Sequence, residues 1–166
     1  MIFIVAIFSF SFLLESIVTN YIGINSSILY PVFSLISLIV IYPFFNNNNS
    51  KFLFVSFWFG LIYDIAYTNS FLLNATIFVI ISAVIILLNE HLSNNHLNIS
   101  INCFVIVVLY RVITYLLICL VGYVNFDYIV LIKSIYTTLL SNLIYVNILY
   151  FISNQLSTKY KIRKID

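Results

Sequence analysis

Apolar residues follow one another along this chain in long runs broken by short polar stretches, with little of the strict alternation expected of strands. Six runs stand out. The first covers residues 2–18, and the polar TNYIGINSS at 19–27 forms the first connection. A second run occupies 28–45, with Pro31 near its start and Pro43 near its end, where proline sacrifices few helical hydrogen bonds. The turn NNNNSK, 46–51, leads into FLFVSFWFGLIYDIAY at 52–67. After a very short turn at 68–70, FLLNATIFVIISAVIILL fills 71–88, so these two helices are antiparallel neighbours. NEHLSNNHLN at 89–98 is the clearest polar loop, the fifth run spans 99–121, and the sixth spans 128–152.

Runs of this length approach the roughly 20 residues a helix needs to cross a hydrocarbon core. They are too long and too continuous for barrel strands, and helices satisfy their backbone internally. The pattern predicts an all-α fold, a polytopic transmembrane bundle of six spans within residues 1–152, with a short basic tail at 153–166. Composition agrees: 63% of residues are hydrophobic and only 7% charged, whereas a soluble domain carries about 25% charged residues. The opening MIFIVAIFSFSFLLES has no basic stretch ahead of its apolar run and no small-residue cleavage site, so it is expected to be a retained first span.

The positions of the basic residues set the expected orientation. Lys51 lies in the second connection and Lys159, Lys161, Arg163 and Lys164 lie in the tail, while the first, third and fifth connections contain no lysine or arginine. With six spans these residues fall on one side, which the positive-inside rule makes cytoplasmic, together with both termini. The net charge of +2 arises largely in that tail and gives no reason to invoke nucleic acid.

Four ionisable residues fall inside the runs: Glu15, Asp64, Arg111 and Lys133. A charge exposed at the bilayer centre costs about 2.5–3.5 kcal/mol even on the lenient insertion scale, so such residues face the bundle interior or a partner. We expect an intramembrane charge network in which Arg111 pairs with Asp64, with Glu15 and Lys133 nearer the outer rim. Arginine suits the deeper position because its fork of donors matches a carboxylate. In the third run, Ser56, Gly60 and Asp64 share one helical face, a small-residue stripe suited to close helix packing or to a partner contact. Asn74, Ser82 and Thr114 could form interhelical hydrogen bonds.

No arrangement of residues for catalysis is evident. His91 and His96 lie five apart without a third ligand, so no metal site is expected. Cys103 and Cys119 lack CxxC spacing and read as small buried hydrophobes. There is no Ser/His/Asp triad and no phosphate-binding glycine loop, and the expectation is a non-enzyme without cofactor.

The stretch FWFGLIYDIAYTNSFLLNATIF, 57–78, resembles the rod shape-determining protein MreD family, whose GLL-x-D element is matched here by Gly60, Leu61 and Asp64. SSILYPVFSLISLIVIY is a second similarity, with Pro31 where the family often has proline before a long apolar run. The family often continues with Leu-Gly ahead of the fourth span, where this chain has Ser70-Phe71. The resemblance implies a noncatalytic bacterial inner-membrane component of the cell-wall elongation machinery. It also implies partnership with an MreC-like membrane protein, MreB, and the peptidoglycan polymerase and transpeptidase. The implied fold is similar to the substrate-binding subunit (S-component) of energy-coupling factor transporters, and such a transporter subunit is the alternative function. On this reading Gly60 and Asp64 form the contact centre and Arg111 the internal counter-charge.

Overall fold

The computed structural model describes residues 2–22, 31–46, 48–68, 72–91 and 96–160. Outside that description lie most of the first connection (23–27), the Ser70-Phe71 turn, the side chains of His91 and His96, and the basic residues Lys161, Arg163 and Lys164. Among the described residues the chain is all-α: α1 (Ile2–Ile22), α2 (Phe33–Ile41) with a 3-10 turn at Tyr42–Phe45, α3 (Asn49–Tyr67), α4 (Leu73–His91), α5 (His96–Leu120) and α6 (Tyr128–Lys159).

The distribution of polarity is the reverse of a water-soluble protein. Buried inside are Ser11, Glu15, Ser37, Asp64, Asn102 and Asn142, whereas Phe10, Leu13, Ile65, Ile80, Leu87 and Ile148 face outward. Water would penalise that apolar exterior, and lipid does not. Among the described residues, four helical segments are long and apolar enough to cross a membrane: Ile2–Asn20, Leu73–Glu90, Leu97–Leu120 and Tyr128–Lys159.

The second run departs from expectation. Instead of a full-length span over 28–45, its regular helix starts at Phe33, lasts nine residues and tightens into the four-residue 3-10 turn containing Pro43. Every residue from 31 to 45 is buried. α2 packs against α1, α4, α5 and α6 and forms the centre of the molecule. A helix that is apolar all round belongs in the interior, and this one is enclosed by protein.

Several boundaries also move. Asn49, Ser50 and Lys51, expected in a turn, form the first turn of α3, because Asn48 caps it by accepting from the Lys51 amide at 3.2 Å. α3 carries Lys51 and Asp64 and is not among the four crossing segments. Much of the expected 89–98 loop is helix, since α4 runs to His91 and α5 starts at His96. Ser153 to Lys159, expected at the start of the tail, continue α6. There the hydroxyls of Ser157 and Thr158 bond back to the Asn154 carbonyl, so polar composition does not end the helix. At 32 residues α6 is about 48 Å long, more than the roughly 30 Å of a hydrocarbon core.

α3 and α4 form the tightest pair, and α5 and α6 the next. α1 is fixed to α3 by stacking of Phe8 on Phe59 at 3.8 Å and by the Tyr67 hydroxyl donating to the Phe12 carbonyl. Gly122, with φ of 82°, makes the turn between α5 and α6 that an L side chain would strain.

Candidate functional site

The polar residues of greatest interest converge on the starts of two helices. The first amides of a helix have no intrahelical acceptor, and a Ser, Thr, Asp or Asn at the N-cap normally satisfies one of them. α2 and α4 lack such a residue. The N-cap of α2 is Val32, which makes no side-chain capping bond. α4 is preceded by Leu72, whose carbonyl accepts the first helical bond from the Thr76 amide at 3.1 Å. In both cases a carboxyl group from a neighbouring helix takes over the capping function.

At α2 that group is Glu15 of α1, which is almost wholly buried at 2% exposure. Its Oε2 accepts from the Ser34 amide at 2.8 Å and from the Ser34 hydroxyl at 2.6 Å, and its Oε1 accepts from the Tyr63 hydroxyl of α3 at 2.7 Å. One side chain thereby ties three helices together. Beside it the Val32 amide donates to Asn142 Oδ1 of α6 at 3.2 Å, so the start of α2 is also held by α6.

At α4 the cap is Asp64 of α3, equally buried. Its Oδ1 accepts from the Asn74 amide at 3.1 Å, from Asn74 Nδ2 at 2.9 Å and from the Thr68 hydroxyl at 3.0 Å, while Oδ2 accepts from the Ala75 amide at 3.1 Å. Negative charge at a helix N-terminus is favoured by the exposed amides and by the helix dipole, more so away from water. Gly60, one turn earlier, makes this geometry possible. A Cβ there would lie 2.6 Å from the Ala75 Cα and 2.8 Å from the Asn74 carbonyl oxygen, so the start of α4 rests directly on the glycine backbone. Ser56, the third residue of the stripe, is buried and bonds back to the Phe52 carbonyl at 2.9 Å.

Residues 1–160 match the family description rod shape-determining protein MreD. The chain belongs to the MreD family. No curated protein and no solved structure matches it significantly. The Gly60-Leu61-x-x-Asp64 element is therefore seen here as a joint: glycine brings α4 close, and the carboxyl group one turn on caps it.

The two expected cations are Arg111 and Lys133. Arg111 of α5 donates from Nε to Thr138 Oγ1 of α6 at 2.6 Å, and its guanidinium lies 5.7 Å from the centre of the Tyr110 ring. It also borders a cleft of about 390 Å³ together with Thr68 and Asn74, side chains that bond Asp64, and with Thr114. Lys133 is exposed on α6. Of the other residues singled out in the sequence, Asn74 does join helices, Thr114 bonds back to the Tyr110 carbonyl at 2.8 Å, and the buried Ser82 hydroxyl has no partner among the described residues.

Sequence reading missed Ser34, Tyr63, Thr138 and Asn142. For Ser34 a signal existed: Pro31 marks a helix start, Val32 cannot cap it, and Ser34 then falls in the first turn. Tyr63 and Asn142 had none, because their partners lie 48 and 110 residues away.

Proposed function

We propose that this MreD-family protein is a noncatalytic membrane scaffold of the bacterial cell-wall elongation machinery, placed in the inner membrane with both termini in the cytoplasm. The observation that carries this reading is the family match over residues 1–160. The use of Glu15 and Asp64 as helix caps supports it, since these carboxyl groups hold the bundle together. On this reading all six helices serve as spans, α2 as a short one sheathed in protein, in an arrangement like that of an energy-coupling factor S-component. Glu15, Asp64, Arg111 and Lys133 form one electrostatic network, and the α3–α4 pair locked by Ser56, Gly60 and Asp64 is the rigid surface offered to an MreC-like partner. MreB and the peptidoglycan polymerase and transpeptidase are the further members of the complex.

The test is depletion combined with affinity purification from membranes. Rounded cells and recovery of an MreC-like protein are the expected result, and normal shape without that association would contradict the proposal. A second reading, a substrate-binding subunit of an energy-coupling factor type transporter, is favoured by the 390 Å³ cleft beside Arg111, Asn74 and Thr114. It requires a small molecule retained after gentle purification and dependence on transporter ATPase subunits.

A further inference from the structure

The cleft of about 390 Å³ beside Arg111 has a polar floor and an apolar wall, and a difference in helix length separates the two. α4 has 19 residues and α5 has 25, and they pack together with only residues 92–95 between them, so they run antiparallel from one level. At about 1.5 Å per residue, α5 extends about 9 Å past the start of α4. The floor comes from the start of α4 and from α5 residues at or below that level, Asn74, Tyr110 and Thr114. The wall comes from the last turns of α5, Leu117, Ile118 and Val121, with Tyr123 just beyond. Ile118, Val121 and Tyr123 are exposed, yet their position is fixed. The buried Tyr115 accepts at its hydroxyl from the Asp127 amide at 2.9 Å and donates to the Asp127 carbonyl at 3.0 Å, which locks the turn into α6.

Two groups on the floor lack partners. Tyr110 and Asn74 are only 8% and 4% exposed and both line the cleft. Among the described residues the Tyr110 hydroxyl makes no hydrogen bond, and Asn74, whose Nδ2 donates to Asp64 and Thr68, accepts none at Oδ1. Polar groups this buried are ordinarily paired. A hydroxyl that can donate and an amide oxygen that can accept, in one cleft, match a peptide group, whose C=O and N–H take one each. The wall is unsuited to lipid. α4 alone, about 28 Å long, matches the roughly 30 Å of a hydrocarbon core, so the last 9 Å or about that of α5 stand beyond the acyl chains. Water would satisfy the floor but leave Ile118, Val121 and Tyr123 uncovered. We propose that this cleft docks a short apolar peptide segment of a partner protein, its backbone on Tyr110 and Asn74 and its side chains against the end of α5. A wall of about 9 Å has room for about three extended residues. Neither functional reading is needed for this docking, which depends only on the groups in the cleft.

The test is photolabelling of the full chain in phosphatidylcholine nanodiscs. The probe is N-acetyl-trileucine amide with a diazirine on its central side chain, and attachment sites are mapped by mass spectrometry. Label is expected on Leu117, Ile118, Val121 and Tyr123. The unlabelled peptide should compete for these sites, and its analogue with an ester oxygen in place of the central N–H should compete about five-fold less well, the worth of one hydrogen bond. Tyr110→Phe removes a hydroxyl that has no partner among the described residues, so the unfolding temperature should hold while the probe binds about five-fold more weakly. Val121→Glu, at an exposed position, should abolish labelling of the wall without unfolding the protein. Label spread evenly over outward-facing residues such as Phe10, Ile80 and Ile148, equal competition by the ester analogue, or unchanged probe binding in either variant would overturn the proposal.

Discussion

Glu15 and Asp64 are both acids within apolar sequence, yet the substitutions they tolerate should differ, because their donors differ. Glu15 accepts from Ser34 on one oxygen and from the Tyr63 hydroxyl on the other. A glutamine can keep its carbonyl oxygen on Ser34 and donate its amide to Tyr63, since a hydroxyl reverses its role. Glu15→Gln is expected to cost less than about 1 kcal/mol, and Glu15→Ala about 2–6 kcal/mol, from orphaning the Ser34 amide and the Tyr63 hydroxyl at about 1–3 kcal/mol each. Asp64 has no such freedom, as each of its oxygens faces a backbone amide that can only donate. Asp64→Asn should therefore cost about 1–3 kcal/mol, clearly more than Glu15→Gln. Thermal unfolding of the purified variants in detergent measures the order; equal losses for both amide substitutions would make charge, not donor geometry, the controlling property. Leu72 offers a gain. Its φ of 65° is a left-handed conformation that costs an L residue about 1–2 kcal/mol, so Leu72→Gly should stabilise by about 0.5–1 kcal/mol after the entropy cost of glycine. A lower unfolding temperature for that variant would contradict the assignment of strain.

Among the helices, the α3–α4 joint is where packing and capping depend on each other. Gly60→Ala forces a methyl group against backbone atoms of Asn74 and Ala75, so α4 must move as a unit and carry its first amides away from Asp64. A loss of about 1–3 kcal/mol is expected from overpacking. Because both substitutions damage the same joint, Gly60→Ala combined with Asp64→Ala should cost less than the sum of the single losses; strict additivity in the unfolding data would show the two residues to be independent. The stripe Ser56, Gly60 and Asp64 was legible from helical spacing, and the short turn after Tyr67 identified α4 as a neighbour. The capping role of Asp64 was not, because it depends on where α4 begins and on Leu72 being unable to cap it. The enclosure of α2 by protein was not legible for a related reason. A helix apolar on all sides has the same sequence whether lipid or protein surrounds it, and only the packing of α1, α4, α5 and α6 around it decides.

The whole molecule is ordered by lipid outside and polar contacts inside. That inversion was readable in the scarcity of charge, and four of the expected spans are long and apolar enough to cross. The helix ends were less readable, since Asn, Ser and Thr continue helices here as readily as they end them. What composition could not reveal is that the acids Glu15 and Asp64 anchor helix starts that would otherwise leave amides unsatisfied where no water is at hand. Site-resolved amide hydrogen exchange of the intact protein in nanodiscs tests this directly. First-turn amides ordinarily exchange readily, but those of Ser34, Asn74 and Ala75 are expected to be as slow as the helix interiors, and Asp64→Asn should accelerate Ala75 at least ten-fold while leaving Ser34 unchanged. Rapid exchange at all three positions in the wild-type protein would contradict the account.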